Sequence, residues 1–216
     1  MDTLIFIQEN LDTLTARTIE HLAIVGVAVG LAILSGVPIG IAITQNKRVA
    51  DAVLYTASMI MTIPSIALFG VLIPVLSHIG QGIGYAPAVI AVLLYSQLPI
   101  IRNTYTAITN VDPALREAAR GMGMTAWQRL FRVEIPIAVP VIMAGVRMAV
   151  VINIGITAIA AYIGAGGLGT FISRGISQTD PRQLITGELA VSLLAIAADF
   201  VLLWLQGRLT PKGVRA

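Results

Sequence analysis

Leu22-Ala23-Ile24-Val25-Gly26-Val27-Ala28-Val29-Gly30-Leu31-Ala32-Ile33-Leu34-Ser35-Gly36-Val37-Pro38-Ile39-Gly40-Ile41-Ala42-Ile43-Thr44 carries no charged side chain. A helix crosses the hydrocarbon core of a bilayer in about 20 residues, so this stretch is long enough to span it. From Ala52 to Ile101 the chain again carries no Asp, Glu, Lys or Arg. That run is too long for one crossing. Ser77-His78-Ile79-Gly80-Gln81-Gly82-Ile83-Gly84 divides it with glycine and polar groups suited to a turn. Spans are expected at 22–44, 53–76 and 86–108. A fourth is expected from Ile135 to Ile163, interrupted by Arg147, and a fifth from Glu188 to Gln206, interrupted by Asp199. The expected fold is all-α and polytopic, with about five transmembrane helices. Backbone groups in lipid must bond internally, and these runs are too long and too evenly apolar for barrel strands.

Composition agrees. The chain has 216 residues, 56% hydrophobic and 12% charged, against about 25% charged in an average soluble chain. Too little polar surface is left to cover a water-facing globule, and disorder would need low hydrophobicity with high net charge. With no cysteine and two histidines, His21 and His78, the sequence has no disulfide framework, no thiolate nucleophile and no metal-ligand cluster. Catalytic residues and a metal site are therefore not expected. A formal charge of +3 gives no case for nucleic acid.

Basic residues set the orientation. Lys47 and Arg48 follow the first span, Arg116, Arg120, Arg129 and Arg132 lie between the third and fourth, and Arg208, Lys212 and Arg215 follow the fifth. These segments share one side, expected to be the cytoplasm. The other side has Arg17, Arg174 and Arg182. The N-terminus is then outside and the C-terminus inside. Residues 1–20 carry Asp2, Glu9, Asp12 and Glu20, unlike a signal peptide. Leu4, Ile7, Leu11 and Leu14 recur at helical spacing, so 1–20 is expected to be an amphipathic segment preceding a membrane domain over 21–216.

The cytoplasmic loop 110–135 holds the most specific pattern. Asp112 is a good N-cap and Pro113 a good first helical residue. Leu115, Ala119 and Met122 are expected on one face of a short helix that Gly123 stops. Small residues at its centre let a partner's backbone approach, and Glu117 and Arg120 place charge at the ends of the contact. Read from physics alone, the same helix serves equally as a plain connection between spans.

Glu117-Ala118-Ala119, three residues, Gly123, nine residues, then Val133-Glu134-Ile135-Pro136 resembles the EAA loop of the membrane subunits of ABC importers. Val133 and Ile135 are conservative departures from its aliphatic positions. The likeness extends to Leu98-Pro99-Ile100-Ile101-Arg102-Asn103-Thr104-Tyr105, to Ile163-Gly164-Ala165-Gly166-Gly167-Leu168-Gly169 and to Leu209-Thr210-Pro211-Lys212-Gly213, which are similar to permeases importing glycine betaine, carnitine and choline. The resemblance implies a type I ABC importer permease fold. It gives Glu117, Ala118, Ala119, Arg120 and Gly123 the role of a coupling helix on a separate ATPase subunit. It also implies a second permease copy or homologue and a separate extracytoplasmic substrate-binding protein. ATP and Mg would sit on the ATPase, since this chain has no G-x-x-x-x-G-K-[ST] phosphate loop and is expected to bind no cofactor itself.

Arg147 lies about 16 Å beyond Pro136, and Asp199 about 13 Å before Arg208, at about 1.5 Å per helical residue. Charges at similar depth inside a bundle can pair, or can relay protons as in a secondary transporter. Pathway candidates are Thr62, Pro64, Ser65, Gln97, Asn153 and Thr157, polar or irregular positions within spans. Each also suits ordinary interhelical bonding. Four functions therefore remain open at this point. They are osmoprotectant import, ABC import of another small solute such as an amino acid, proton-coupled transport, and a non-transporting scaffold.

Overall fold

The run 22–44 forms most of α2 (Leu11–Ala42) and the 3-10 turn that ends it (Ile43–Gln45). A computed structural model describes residues 2–211. Lys212, Gly213 and Arg215, which contributed to the expected orientation and family likeness, lie outside the described residues. Before α2 comes α1 (Asp2–Glu9), and the helical break falls at Asn10, not at residue 20. The Asn10 side-chain amide donates to the Phe6 carbonyl at 2.9 Å, which closes α1 locally. Residues 11–20 are thus the first turns of α2.

The remaining elements are α3 (Lys47–Thr62), α4 (Ser65–Ser77), α5 (Tyr85–Thr109), α6 (Pro113–Gly121), α7 (Ala126–Arg129), a π-turn (Leu130–Glu134), α8 (Ile135–Ile159), a 3-10 turn (Ala160–Ile163), α9 (Gly169–Gln178) and α10 (Pro181–Leu209). Among the described residues, four helical stretches are each long and apolar enough to cross a membrane: 11–45, 85–109, 126–163 and 181–209. The turn at 78–84 lies where glycine predicted it.

The second span differs from expectation. In place of one helix over 53–76, α3 and α4 meet at 98°. Pro64 has no N–H and biases the residue before it away from helix, and Ile63 is extended at ψ 127°. The Ile63 carbonyl is left without a helical partner, and the Tyr95 hydroxyl donates to it at 2.5 Å. The Pro64 carbonyl then accepts from Ala67 and Leu68, which starts α4. Together the two halves make up the fifth membrane element.

Helix α5 sits at the centre, packed against α2, α8 and α3. Some 61% of its most apolar window is buried, against none of that of α10, which makes α10 a rim helix. Close approach at the centre depends on small residues. A Cβ on Gly145 would lie 2.6 Å from the Pro99 carbonyl oxygen, and one on Gly40 2.6 Å from Thr104. Val25, Ala32, Ile100, Val146 and Ala149 fill the seam between α2, α5 and α8. Outside the membrane elements, Asp180 caps α10 by accepting from the Arg182 backbone N–H at 3.0 Å. The Arg182 guanidinium beside it holds the Asp180 carboxyl down at about 2.

Candidate functional site

The loop between α5 and α8 is built by its caps. The Ala114 N–H donates to the Asp112 carboxylate at 2.8 Å, and Pro113 starts α6 where a missing N–H costs nothing. At the other end Gly123 has φ +77°, its N–H bonds the Arg120 carbonyl and the Met124 N–H bonds the Ala119 carbonyl. This paired closure is the Schellman arrangement, which favours glycine at the left-handed position. Thr125 and Gln128 then form a reciprocal capping box that starts α7.

A single carboxylate holds the loop to the base of α8. Glu134 is 6% exposed. The Arg129 guanidinium donates to it at 2.8 Å and Arg116 approaches it at 3.4 Å. Arg116 also donates to the Ile108 carbonyl at the end of α5. The π-turn lies between Arg129 and Glu134 and returns the chain to α8. Sequence reasoning treated Glu134 only as part of a motif. The available signal was one acid following Arg116, Arg129 and Arg132.

Of the residues expected to contact a partner, Glu117, Ala118, Arg120 and Gly123 are exposed and Ala119 faces inward. Leu115, Ala119 and Met122 do not share one environment as expected. Ala119 is 1% exposed, whereas Leu115 is 44% and Met122 69%. Met122 has already left helical backbone, at ψ 3°. Beside it Trp127 and Phe131 stack at 5.6 Å and stay exposed. The loop thus presents an apolar, partly charged surface backed by an ionic anchor, which suits docking against another protein.

In the membrane part, Arg147 and Asp199 meet. Arg147 Nε donates to Asp199 Oδ1 at 2.9 Å and Nη2 to Oδ2 at 3.0 Å, a bidentate fork. Arg147 Nη1 also donates to Gln206 Oε1 at 3.3 Å, a partner the sequence did not suggest. The pathway candidates fall into two groups. Thr62, Pro64 and Ser65 lie at the α3–α4 break, where Thr62 and Pro64 are exposed. Gln97, Asn153 and Thr157 lie within helix contacts. Gln97 donates to Ser35 at 3.0 Å, Asn153 donates to Ser96 at 2.9 Å, and Thr157 is fully enclosed. Among the described residues no hydrogen bond joins the two groups.

On the opposite face of the membrane, Gly164, Gly166 and Gly167 turn the chain at φ +77°, +79° and +74°. Two α2 side chains hold this turn. Glu20 accepts from the Gly167 N–H at 2.9 Å and from Arg17 at 2.7 Å. His21 Nδ1 accepts from the Leu168 N–H at 3.3 Å, and Nε2 donates to the Ile154 carbonyl at 3.0 Å. These partners place the ring proton on Nε2.

Residues 36–213 match the family described as binding-protein-dependent transport system inner membrane component. The chain is 57% identical over 215 residues to the osmoprotectant import permease protein OsmW of Salmonella typhimurium, covering 100% of both. It is 42% identical to the glycine betaine/carnitine/choline transport system permease protein OpuCB of Bacillus subtilis, covering 97% of this chain and 94% of that one. Among solved structures, an inward-facing conformation of the MetNI methionine ABC transporter superposes with TM-score 0.81 at 23% identity, over 92% of this chain and 97% of the other. At that identity the likeness is one of fold.

Proposed function

This chain belongs to the binding-protein-dependent transport system inner membrane component family, and from that premise we propose that it forms half of an ATP-driven pore importing a quaternary ammonium osmoprotectant. Glycine betaine, carnitine and choline are the candidate cargoes. The observation that carries this reading is the full-length 57% identity to an osmoprotectant import permease. The chain is a non-catalytic subunit. A separate ATPase hydrolyses ATP, and a separate extracytoplasmic binding protein delivers the cargo.

Loop 110–135 is the ATPase contact. Glu117, Ala118 and Arg120 face the partner, while Glu134 ties the loop to α8 and Arg116 ties it to α5. A push on α6 is therefore transmitted to the two helices packed at the centre of the bundle. A pore with two arrangements needs only that ATP-dependent movement of the ATPases favours one of them. The same orientation puts the N-terminus outside and the C-terminus in the cytoplasm. The Gly164–Gly169 turn then lies at the outer face, and Lys47, Arg48, Arg120, Arg132 and Arg208 lie at the inner.

The test is uptake of labelled glycine betaine, choline, carnitine and proline at high osmolarity. The host lacks its own osmolyte importers and expresses this chain with its cognate ATPase and binding protein. Uptake of a trimethylammonium solute that disappears with Glu117→Arg plus Gly123→Asp is the expected result. No uptake of the four, with the complex assembled and its ATPase active, overturns the cargo assignment and leaves the importer.

A further inference from the structure

The helices of the bundle do not expose the same chemistry. On the rim helix α10, Leu189, Leu193, Ile196 and Phe200 are exposed, a surface suited to lipid. The central helix α5 exposes nothing from 86 to 101, and its exposed positions beyond are Arg102, Thr106 and Thr109. These three recur at helical spacing and form one polar strip. Such a strip suits water or a polar solute, not acyl chains.

Arg102 gives the strip its charge. It stands about two helical turns inside the end of the span 85–109. Its guanidinium donates to the Ser58 hydroxyl on the neighbouring α3 at 3.0 Å. Helical side chains tilt towards the N-terminus of their helix, so Arg102 reaches away from Thr109 and towards mid-span. Arg147 has Asp199 as its counter-ion, whereas Arg102 has no carboxylate partner among the described residues. The one acid on α3 and α5 is Asp51, about 10 Å from Ser58 along the helix axis at about 1.5 Å per residue. An ionised side chain inside a span belongs against protein or a water-filled cavity, and one without a counter-ion is open to a charged solute.

We propose that Arg102 is a binding residue for the carboxylate of a zwitterionic trimethylammonium solute, in a passage bordered by α3 and α5. The inference rests on the permease reading above. It narrows the cargo to the carboxylate-bearing glycine betaine and carnitine over choline, which carries a hydroxyl instead. Ser58 engages one guanidinium nitrogen through a neutral hydroxyl. A carboxylate makes a stronger, charge-assisted and bidentate contact with the same group. No fixed acid competes for the arginine, so the contact can form with a passing solute and break again. About one turn beyond Ser58 the exposed Thr62 and Pro64 carry this surface to the bend between α3 and α4.

The chain has no cysteine, so Thr106→Cys places a single thiol on the strip about one turn from Arg102. The permease–ATPase complex is treated in inverted membrane vesicles with a water-soluble cationic methanethiosulfonate, and labelling is scored on this chain. The reagent is expected to label the thiol, and saturating glycine betaine to slow labelling more than choline at the same concentration. Adding Arg102→Gln is expected to abolish that difference. Uptake by the complete transporter is measured alongside. Arg102→Gln should cut glycine betaine uptake by roughly tenfold, the loss of one charge-assisted contact, with a smaller loss for choline and Arg102→Lys intermediate. A thiol that the reagent does not reach overturns the proposal, as does equal protection by the two solutes or protection that survives Arg102→Gln. Equal loss of uptake for both solutes, or uptake of choline without glycine betaine by the unmodified chain, also overturns it. Protection in the Arg102 chain needs no arginine variant, so it decides the matter where a variant fails to assemble. Uptake of neither solute by the unmodified transporter would instead fail the cargo reading itself.

Discussion

The two polar ends of the bundle are held by different physics. At the loop between α5 and α8, a buried carboxylate gathers two arginines, and the backbone needs one left-handed residue, Gly123. At the turn between α8 and α9, the chain uses three glycines at positive φ, and α2 side chains accept from backbone N–H groups. The first is an ionic anchor behind an exposed surface. The second is a steric knot with no room to spare, since a Cβ on Gly169 would lie 1.9 Å from the Ala158 carbonyl oxygen. The loop proposed to accept a partner keeps its outer face free and is fixed from behind. A turn that must only keep its shape is fixed by exclusion.

Substitutions that separate steric from ionic control test this contrast. Gly169→Ala is expected to have the largest effect, because the contact is with backbone that cannot swing away. Membrane-inserted folded protein should fall close to zero, measured by the monodisperse fraction in detergent. Glu134→Ala comes next. Breaking a buried ion pair costs about 3–5 kcal/mol, and the lower end applies here because Arg116 and Arg129 are partly exposed. The transporter should lose ATPase stimulation by cargo and show a lowered Tm, with Glu134→Gln intermediate because it keeps an acceptor. If Glu134→Ala leaves stimulation intact, the ionic anchor does not transmit force.

Gly123→Ala should cost about 1–2 kcal/mol for a side chain in left-handed backbone. The loss should appear in ATPase coupling more than in global Tm, since nothing lies within 4 Å of the added Cβ. Glu20→Gln is expected to be smallest, under about 1 kcal/mol, because a half-exposed ion pair contributes little and the amide oxygen can still accept from Gly167. A Tm shift larger than that of Gly123→Ala would show that charge holds the α8–α9 turn as well.

The depth argument that set Arg147 beside Asp199 used only helical rise, and the structure places the two in a bidentate contact. Gly123 was legible as a helix stop because left-handed backbone selects glycine, and its φ is +77°. Glu134 was not legible as an anchor. Its partners are five and eighteen residues away along the chain, and only the π-turn and the return of α6 towards α8 bring them together. Glu20 and His21 were missed for the same reason, since the N–H groups they accept lie 147 residues further on.

What the sequence determined by itself is which stretches cross the membrane as helices, because long uncharged runs in hydrocarbon must satisfy their backbone groups internally. What only tertiary structure decided is which proline breaks a span. Pro38, Pro74, Pro99 and Pro140 all remain inside helices, whereas Pro64 separates α3 from α4. Each proline removes one helical donor wherever it stands. At Pro64 the orphaned Ile63 carbonyl finds the Tyr95 hydroxyl on a neighbouring helix, and a break in lipid can persist only where such a partner from another element is already in place.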